Sequence, residues 1–220
     1  SGYPKSTVFG LLTTMRAYDV ITQTPEGKYA LGLRLFEYGR QVERKWDISR
    51  VARPYMEHLS QRTGASVMLS ICEGGSVITL DQVEARDKLR IVSDAGARLP
   101  IYCTSQGKVF LAHMPRAQAE KLLRRQSMTQ FTPHTITDVS ALLQEVDACR
   151  TDGFAIENGE YKIGLRSISA PVYTVDRTVR YTVGVIGMFR STHSDEFRSA
   201  VEQVCATAAM ISAALGYREA

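Results

Sequence analysis

Residues 153–172, GFAIENGEYKIGLRSISAPV, hold a strand-like segment, Phe154–Glu157, then a loop with Gly159 and Gly164, then the start of another strand, Ser167–Tyr173. Before this stretch, Val139, Leu142, Leu143 and Val146 repeat at helical spacing, which predicts a helix over Asp138–Thr151 that Gly153 ends. After it, Val179–Met188 reads as a strand. Ser194 to Leu215 reads as a closing helix with Phe197, Val201, Val204, Ala208 and Ile211 inward. Earlier in the chain, Ala65–Cys72, Gly75–Val83 and Lys88–Ser93 read as strands, the first two joined by the hairpin signal Glu73-Gly74-Gly75. Gly96–Cys103 reads as a connecting segment, and Ser105–His113 and Arg116–Arg124 as helices. Hairpins bracketed by helices predict an α+β domain, one antiparallel sheet with helices on its faces.

The N-terminal quarter has a different pattern. Pro4–Met15 places Val8, Leu11, Leu12 and Met15 at helical spacing. Val20–Gln23 and Tyr29–Leu31 flank a Pro/Gly turn and predict a hairpin. Leu33–Trp46 follows as a helix with Leu33, Phe36, Val42 and Trp46 apolar. Ile48–Thr63 is a third, with Val51, Tyr55, Met56 and Leu59 on one face, a kink expected at Pro54 and a stop at Gly64. Helix, hairpin, helix is the back half of a winged helix-turn-helix. A head that begins at its last helix implies an upstream segment ahead of Pro4. The domain boundary is expected near Lys45–Ile48.

Composition narrows the function classes. Of 220 residues 23 % are charged and 44 % hydrophobic, as in a globular chain. No apolar run reaches the roughly 18–20 residues of a membrane span, and the start lacks a secretory pattern. Cys72, Cys103, Cys149 and Cys205 form no C-x-x-C pair, so reduced thiols and a cytoplasmic location are expected, and structural zinc is not. The net charge of +4 is unevenly placed: residues 1–50 carry eight basic and five acidic side chains. Lys5, Ser6 and Thr7 open a helix, where backbone N–H groups attract phosphate. Arg16 lies near that helix's other end and Lys28 at the hairpin tip. The bland reading makes these solvated charges and the hairpin a flap.

Three features suggest chemistry in the second domain. Thr104 is placed to cap the helix beginning at Ser105, leaving N–H groups near Ser105–Gly107 as a site for a small anion such as a carboxylate. Against this stands an ordinary capped helix. The loop carrying Glu157, Glu160, Lys162 and Arg166, with Ser167 beginning the next strand, gathers polar groups as ligand sites do. Against this stands a charged surface loop. Cys103 beside Thr104 and Ser105, with His113 and His134 downstream, suggests a nucleophile and base. No spacing brings either histidine to Cys103, and cysteine is commonly a buried small hydrophobe. No cluster of metal ligands appears, and no metal or cofactor is expected.

PKSTVFGLLTTM followed by GKYALGLRLFEYG resembles the end of the winged helix-turn-helix of IclR-type bacterial transcriptional regulators. GARLPIYCTSQGKVFLAH resembles that family's entry to its effector pocket, and DGFAIENGEYKIGLRSISAPVY its second signature. The resemblance spans essentially the whole chain. It implies the C-terminal part of a winged helix-turn-helix over residues 1–32, a linker helix over 33–47 and a GAF-like effector-binding domain over 48–220. It further implies a homodimer or tetramer, a double-stranded DNA operator as partner and a small-molecule effector, with repression or activation left open. Pro4–Met15 is then the recognition helix and the hairpin the wing, with Lys5, Ser6, Thr7, Arg16 and Lys28 meeting DNA. The family's pocket positions fall on Ile91, Leu99, Ser105, Gln106, Glu157, Leu165, Ser167, Gly184 and Ile186. With Arg90, Lys162 and Arg166 nearby in sequence, an organic acid is the expected effector, aromatic or sugar-derived.

The chain departs from the pattern in three places. Phe9-Gly10 stands where the family often has His or Tyr and then Arg, and an interior glycine costs a helix about 0.5–1 kcal/mol relative to alanine. Gly184-Val-Ile-Gly-Met-Phe-Arg190 lacks the alternating serines of the family's last strand, which predicts a drier wall. Gln106 replaces a commonly small residue. Two other readings stay open: a small-molecule sensor without DNA binding, against which the Lys5-Ser6-Thr7 helix and hairpin weigh, and the Cys103 enzyme.

Overall fold

The computed structural model describes residues 2–45, 48–85 and 96–218, with the backbone alone at 40 and 42–45. The predicted strand Lys88–Ser93, which includes Arg90 and Ile91, lies outside the described residues, as does Trp46. The chain forms two compact units, Ser1–Ile48 and Ser49–Ala220.

The first unit contains α1 (Lys5–Ala17), β1 (Ile21–Gln23), β2 (Tyr29–Leu31) and α2 (Leu33–Lys45). β1 and β2 pair antiparallel, Ile21 opposite Leu31 and Gln23 opposite Tyr29, around a turn in which Gly27 has φ 82°. The hairpin base is locked to its neighbours. The Gly32 N–H donates to the Val20 carbonyl at 2.8 Å and the Arg34 N–H to that of Asp19 at 3.3 Å. A methyl at Gly32 would overlap the Asp19 carbonyl. No residue of α1 is buried, and Leu11, Met15, Leu33 and Phe36 are exposed. The apolar side chains whose spacing marks these helices are thus largely uncovered among the described residues.

The second unit runs α3 (Ile48–Thr63), β3 (Ser66–Glu73), β4 (Ser76–Val83), β5 (Arg98–Pro100), α4 (Ser105–Ala112), α5 (Arg116–Arg125), α6 (Val139–Asp152), β6 (Ala155–Asn158), β7 (Arg166–Tyr173), β8 (Val179–Gly187) and α7 (Asp195–Ala214). The strands form one antiparallel sheet in the order β5-β4-β3-β8-β7-β6. β5 corrects the reading of Gly96–Cys103 as a plain connection: Arg98–Pro100 pairs with Ser76–Ile78. Three residues ending in proline are too short to show period two, and the pairing supplies what the local pattern lacks. α3 continues through Pro54 to Thr63.

The sheet separates two layers. Val67 and Leu69 of β3, Val183 and Val185 of β8, and Ile168, Ala170 and Val172 of β7 share one face by strand alternation. There β7 and β8 meet α7, which buries Phe197, Ala200, Val204, Ala208 and Ile211. Each such Val, Leu, Ile or Phe contributes about 1.5–3 kcal/mol by leaving water. α4 lies on the opposite face, which holds Met68, Ser70, Thr182, Gly184, Ser167 and Ser169 and is far more polar.

Candidate functional site

The start of α4 is fixed by its own sequence. The Thr104 hydroxyl donates to the Pro100 carbonyl at 2.9 Å, and its oxygen accepts the Gly107 N–H at 3.2 Å. The Thr104 carbonyl takes the Lys108 N–H at 3.1 Å. The N–H groups of Ser105 and Gln106 remain as the helix-start donors, with no acceptor among the described residues. Gly107 allows this entry, since a methyl there would drive into the Ile101 carbonyl.

Ser105 is fully buried and joins a directed chain of hydroxyls. Glu157 Oε1 accepts the N–H groups of Glu160 at 2.5 Å and Tyr161 at 3.1 Å. Glu157 Oε2 accepts the Ser167 hydroxyl at 3.2 Å. With the Ser167 proton so committed, its oxygen accepts from Ser105 at 2.9 Å, and Ser105 in turn accepts from Ser169 at 2.7 Å. All protons point to the carboxylate. Gln106 is buried alongside, its Nε2 3.6 Å from the Met68 sulfur and its Oε1 3.4 Å from the Ser105 hydroxyl.

A second charged group sits next to this chain. Lys108, 1 % exposed, donates to Glu160 Oε1 at 2.6 Å, to the Ile156 carbonyl at 3.1 Å and to Glu145 Oε2 at 3.4 Å. Thr135 and Thr132 donate to the Glu160 and Gly159 carbonyls at 2.6 and 2.7 Å. The loop after Glu157 is therefore pinned from both sides. Burial pushes both carboxyls above the ordinary range. At Glu157 the Tyr161 and Glu160 N–H groups work against the rise, and at Glu160 the Lys108 charge does.

The raised Glu157 carboxyl has a measurable consequence. The folded chain holds this proton more tightly than the unfolded one, so the group favours folding below pH 4.5. That contribution is lost as pH rises through the elevated folded value. Glu157→Gln should flatten the fall of unfolding free energy with pH above 4.5, by at most about 1.4 kcal/mol per pH unit. Denaturant titrations of both proteins between pH 5 and 8 check this, and parallel slopes would refute it.

The structure thus brings Ser105, Gln106, Glu157 and Ser167 together. Gly184 lies opposite Ser169 and Met68 in register, and a methyl there would strike Ser169 Oγ. Ile186 is opposite Ser167 and lines a cavity of about 280 Å³ with Ser66, Gly187 and Phe189. Neither Gly184 nor Ile186 brings a hydroxyl, but Thr182 two residues earlier does. Leu165 is half-buried, and its carbonyl accepts the Gly159 N–H at 2.9 Å, closing the loop. Leu99 does not join the network: it sits on edge strand β5 and packs on the apolar cluster of Val77, Ile101 and Tyr102. Ile91 and Arg90 are outside the described residues. Lys162 is exposed, and Arg166 donates to the Phe189 carbonyl at 2.6 Å. Neither cation is bonded to the network.

Sequence reasoning missed Ser169 and Lys108. The Ser167-x-Ser169 alternation, which puts both hydroxyls on one strand face, was the signal for the first. A lysine inside a helix gives none. Cys103 is fully buried, and burial, then the Glu160 and Glu157 charges, push its thiol up to about 12, which disfavours the thiolate a nucleophile needs. His113 Nδ1–H donates to the Val109 carbonyl at 2.9 Å and its Nε2 accepts from Tyr173 at 3.0 Å. Among the described residues no His/Cys/Asp/Glu group is arranged to hold a metal, and no helix is long and apolar enough to cross a membrane.

In the first unit Lys5, Ser6, Thr7 and Lys28 are exposed. The first turn of α1 has no acidic residue and no side-chain cap. Arg16 donates to Gln23 Oε1 at 2.9 Å, and Gln23 Nε2 donates to the Gly27 carbonyl at 3.1 Å, so this arginine braces helix against hairpin.

Residues 40–213 match the family described as bacterial transcriptional regulator IclR C-terminal, and the chain belongs to the IclR family. It is similar to the HTH-type transcriptional regulator XynR of Escherichia coli K12, 32 % identical over 98 % of this chain and 86 % of that one. An IclR regulator of Alicyclobacillus acidocaldarius superposes with TM-score 0.80 at 25 % identity, over 98 % of this chain and 87 % of that one. An IclR homologue of Microbacterium hydrocarbonoxydans, crystallised with 4-hydroxybenzoate, shares the fold with TM-score 0.78 at 23 % identity, over 97 % of this chain and 86 % of that one. These relatives are transcriptional regulators and not enzymes.

Proposed function

We propose that this chain is a cytoplasmic DNA-binding regulator whose grip on an operator is set by a small organic acid held at the start of α4. The observation that carries this reading is the pair of N–H groups at Ser105 and Gln106 that have no acceptor among the described residues, beside the hydroxyl chain that ends on Glu157. Helix-start amides suit a carboxylate, and the Glu157 carboxylate suits a hydroxyl donor on the same molecule. The 4-hydroxybenzoate of the Microbacterium relative, an acid bearing one hydroxyl, has this chemistry. Gly184, Leu165 and Ile186 form the remaining wall, with Leu99 and Ile91 as expected apolar contacts.

The DNA contacts are assigned to Lys5, Ser6, Thr7, Arg16 and Lys28. N–H groups without a side-chain cap and an exposed lysine at the start of α1 suit phosphate. The head is assigned to residues 1–32, the linker helix to 33–47 and the effector domain to 48–220, with a homodimer or tetramer as the assembly. The effector acts by linkage: it binds one arrangement of the assembly better than another and shifts the populations, and equal affinity for both would change nothing.

Ser105→Leu tests the site. It should leave retention of a promoter fragment on a native gel within about twofold of wild type and abolish release by the acids that raise the wild-type melting temperature. Release that survives in the variant would move the effector elsewhere. Absence of retention on any fragment for either protein would remove the DNA reading.

A further inference from the structure

Lys108, Glu157 and Glu160 form a buried set of two carboxyls and one cation. The carboxyls are joined through the backbone, since the Glu160 N–H donates to Glu157 Oε1. Among the described residues every polar side-chain atom of the set has a partner but one. The Lys108 ammonium has three acceptors: Glu160 Oε1, the Ile156 carbonyl and Glu145 Oε2. Glu157 spends both oxygens on three donors. Glu160 is 5 % exposed, and its Oε2 makes no hydrogen bond. A buried carboxylate oxygen without a donor is costly and rare. Adding a proton there disturbs no contact, because Oε1 still faces Lys108. Adding one to Glu157 would cost it a donor.

The elements packed around Glu160 supply one balancing charge. α4 brings Lys108, and α6 brings Glu145, which meets the same ammonium from its exposed side. β6 brings Glu157, and ahead of α4 lies Cys103, whose thiol stays neutral. The loop itself adds Tyr161 and the exposed Lys162. The 132–135 turn gives hydroxyls to the loop carbonyls, and its His134 ring lies beside Gly159. Burial lifts the Glu160 carboxyl, and the Lys108 charge and the Asn158 N–H oppose the rise.

The helix start reaches this set through three hydrogen bonds: Ser105 to Ser167, Ser167 to Glu157, and the Glu160 N–H to Glu157. A carboxylate at the Ser105 and Gln106 amides therefore adds negative charge to a compartment with one buried cation, where repulsion is poorly screened. We infer that Glu160 is the proton acceptor of the effector site: binding an acid draws one proton from solvent onto Glu160 Oε2, so the grip on the effector depends on pH. The inference rests on the acid reading above and adds its regulation. By reciprocity, the proton strengthens acid binding by the factor by which the acid strengthens proton binding. The acid-bound site holds the proton more tightly than the free site. Affinity is thus full below the free-site midpoint and falls as pH rises toward the bound-site midpoint, by at most about tenfold per unit.

The test uses the full chain and 4-hydroxybenzoate, the acid bound by the Microbacterium relative, whose carboxyl is ionised throughout pH 6 to 8. Apparent affinity is read from melting-temperature shifts at both ends of that range. It should be about tenfold weaker at pH 8 than at pH 6 in the wild type, and equal within about twofold in Glu160→Gln. His134→Gln should keep the wild-type fall, which separates the carboxyl from the nearby imidazole. Should Glu160→Gln not fold, Lys108→Met with Glu160→Leu removes the same acceptor and should abolish the fall. Carbon-13 labelling of the glutamate carboxyls locates the proton, the resonance lost in Glu160→Gln being that of Glu160. Its midpoint should rise by about one pH unit when the acid is added. A midpoint the acid leaves in place, a fall that persists in Glu160→Gln, or a fall lost in His134→Gln overturns the inference. Saturable shifts of equal affinity at pH 6 and pH 8 overturn the proton coupling and leave the acid site standing. No shift at either pH, with every glutamate resonance unmoved, removes the acid site and the coupling with it.

Discussion

Lys108→Met should lower the unfolding free energy by about 3–5 kcal/mol, because it leaves Glu160 buried without its cation. The lysine is enclosed, and its ammonium donates to Glu160 at 2.6 Å and to the Ile156 carbonyl at 3.1 Å. Methionine matches the stem in volume and removes only the charge and donors, so the loss is electrostatic rather than a cavity. The companion variant decides the cause. Lys108→Met with Glu160→Leu removes both charges and should recover most of the loss, as buried pairs commonly do when replaced by apolar groups. Denaturant unfolding of the three proteins checks this. Equal destabilisation in the single and double variants would show that the pair is not the source.

Gly107→Ala should be comparably damaging for a different reason. The added methyl meets the Ile101 carbonyl and its neighbouring backbone atoms, which cannot step aside as a side chain does. Overpacking of this kind costs about 1–3 kcal/mol or more. The roughly 0.5–1 kcal/mol that alanine gains over glycine inside a helix does not offset it. The relief available is a shift of the α4 start away from Ile101, which pulls Ser105 from Ser167 and Ser169. The variant should therefore lose thermal stability and effector response together. Retention of both would mean that the helix start tolerates displacement and that the serine chain is not held by Gly107.

These two sites show what is legible in a linear sequence. The order of elements is, because each is encoded locally: Val139, Leu142, Leu143 and Val146 give α6, Gly153 at φ 79° ends it, and alternation gives β7 and β8. The edge strand Arg98–Pro100 is not, because three residues carry no period and only pairing with β4 makes them a strand. Within the site, Glu157, Ser105 and Ser167 are legible through motif resemblance, and Ser169 through its two-residue spacing from Ser167. Glu160 is legible as a member of the polar loop, but Lys108 and its pairing with Glu160 are not, because a lysine and a glutamate 52 positions apart look like two solvated charges until α4 is laid on the loop.

The sequence by itself determined the order of the described elements other than β5, the capped start of α4 and the basic opening of the head. These follow from neighbours along the chain, where propensity, spacing and capping act. Tertiary structure alone decided that Ser70 faces Thr182, that Ser169, Ser105 and Ser167 donate hydrogen bonds in series toward one carboxylate, and that Arg166 turns to the Phe189 carbonyl. Each of these depends on register between distant strands, and a shift of one residue would send every such side chain to the other face.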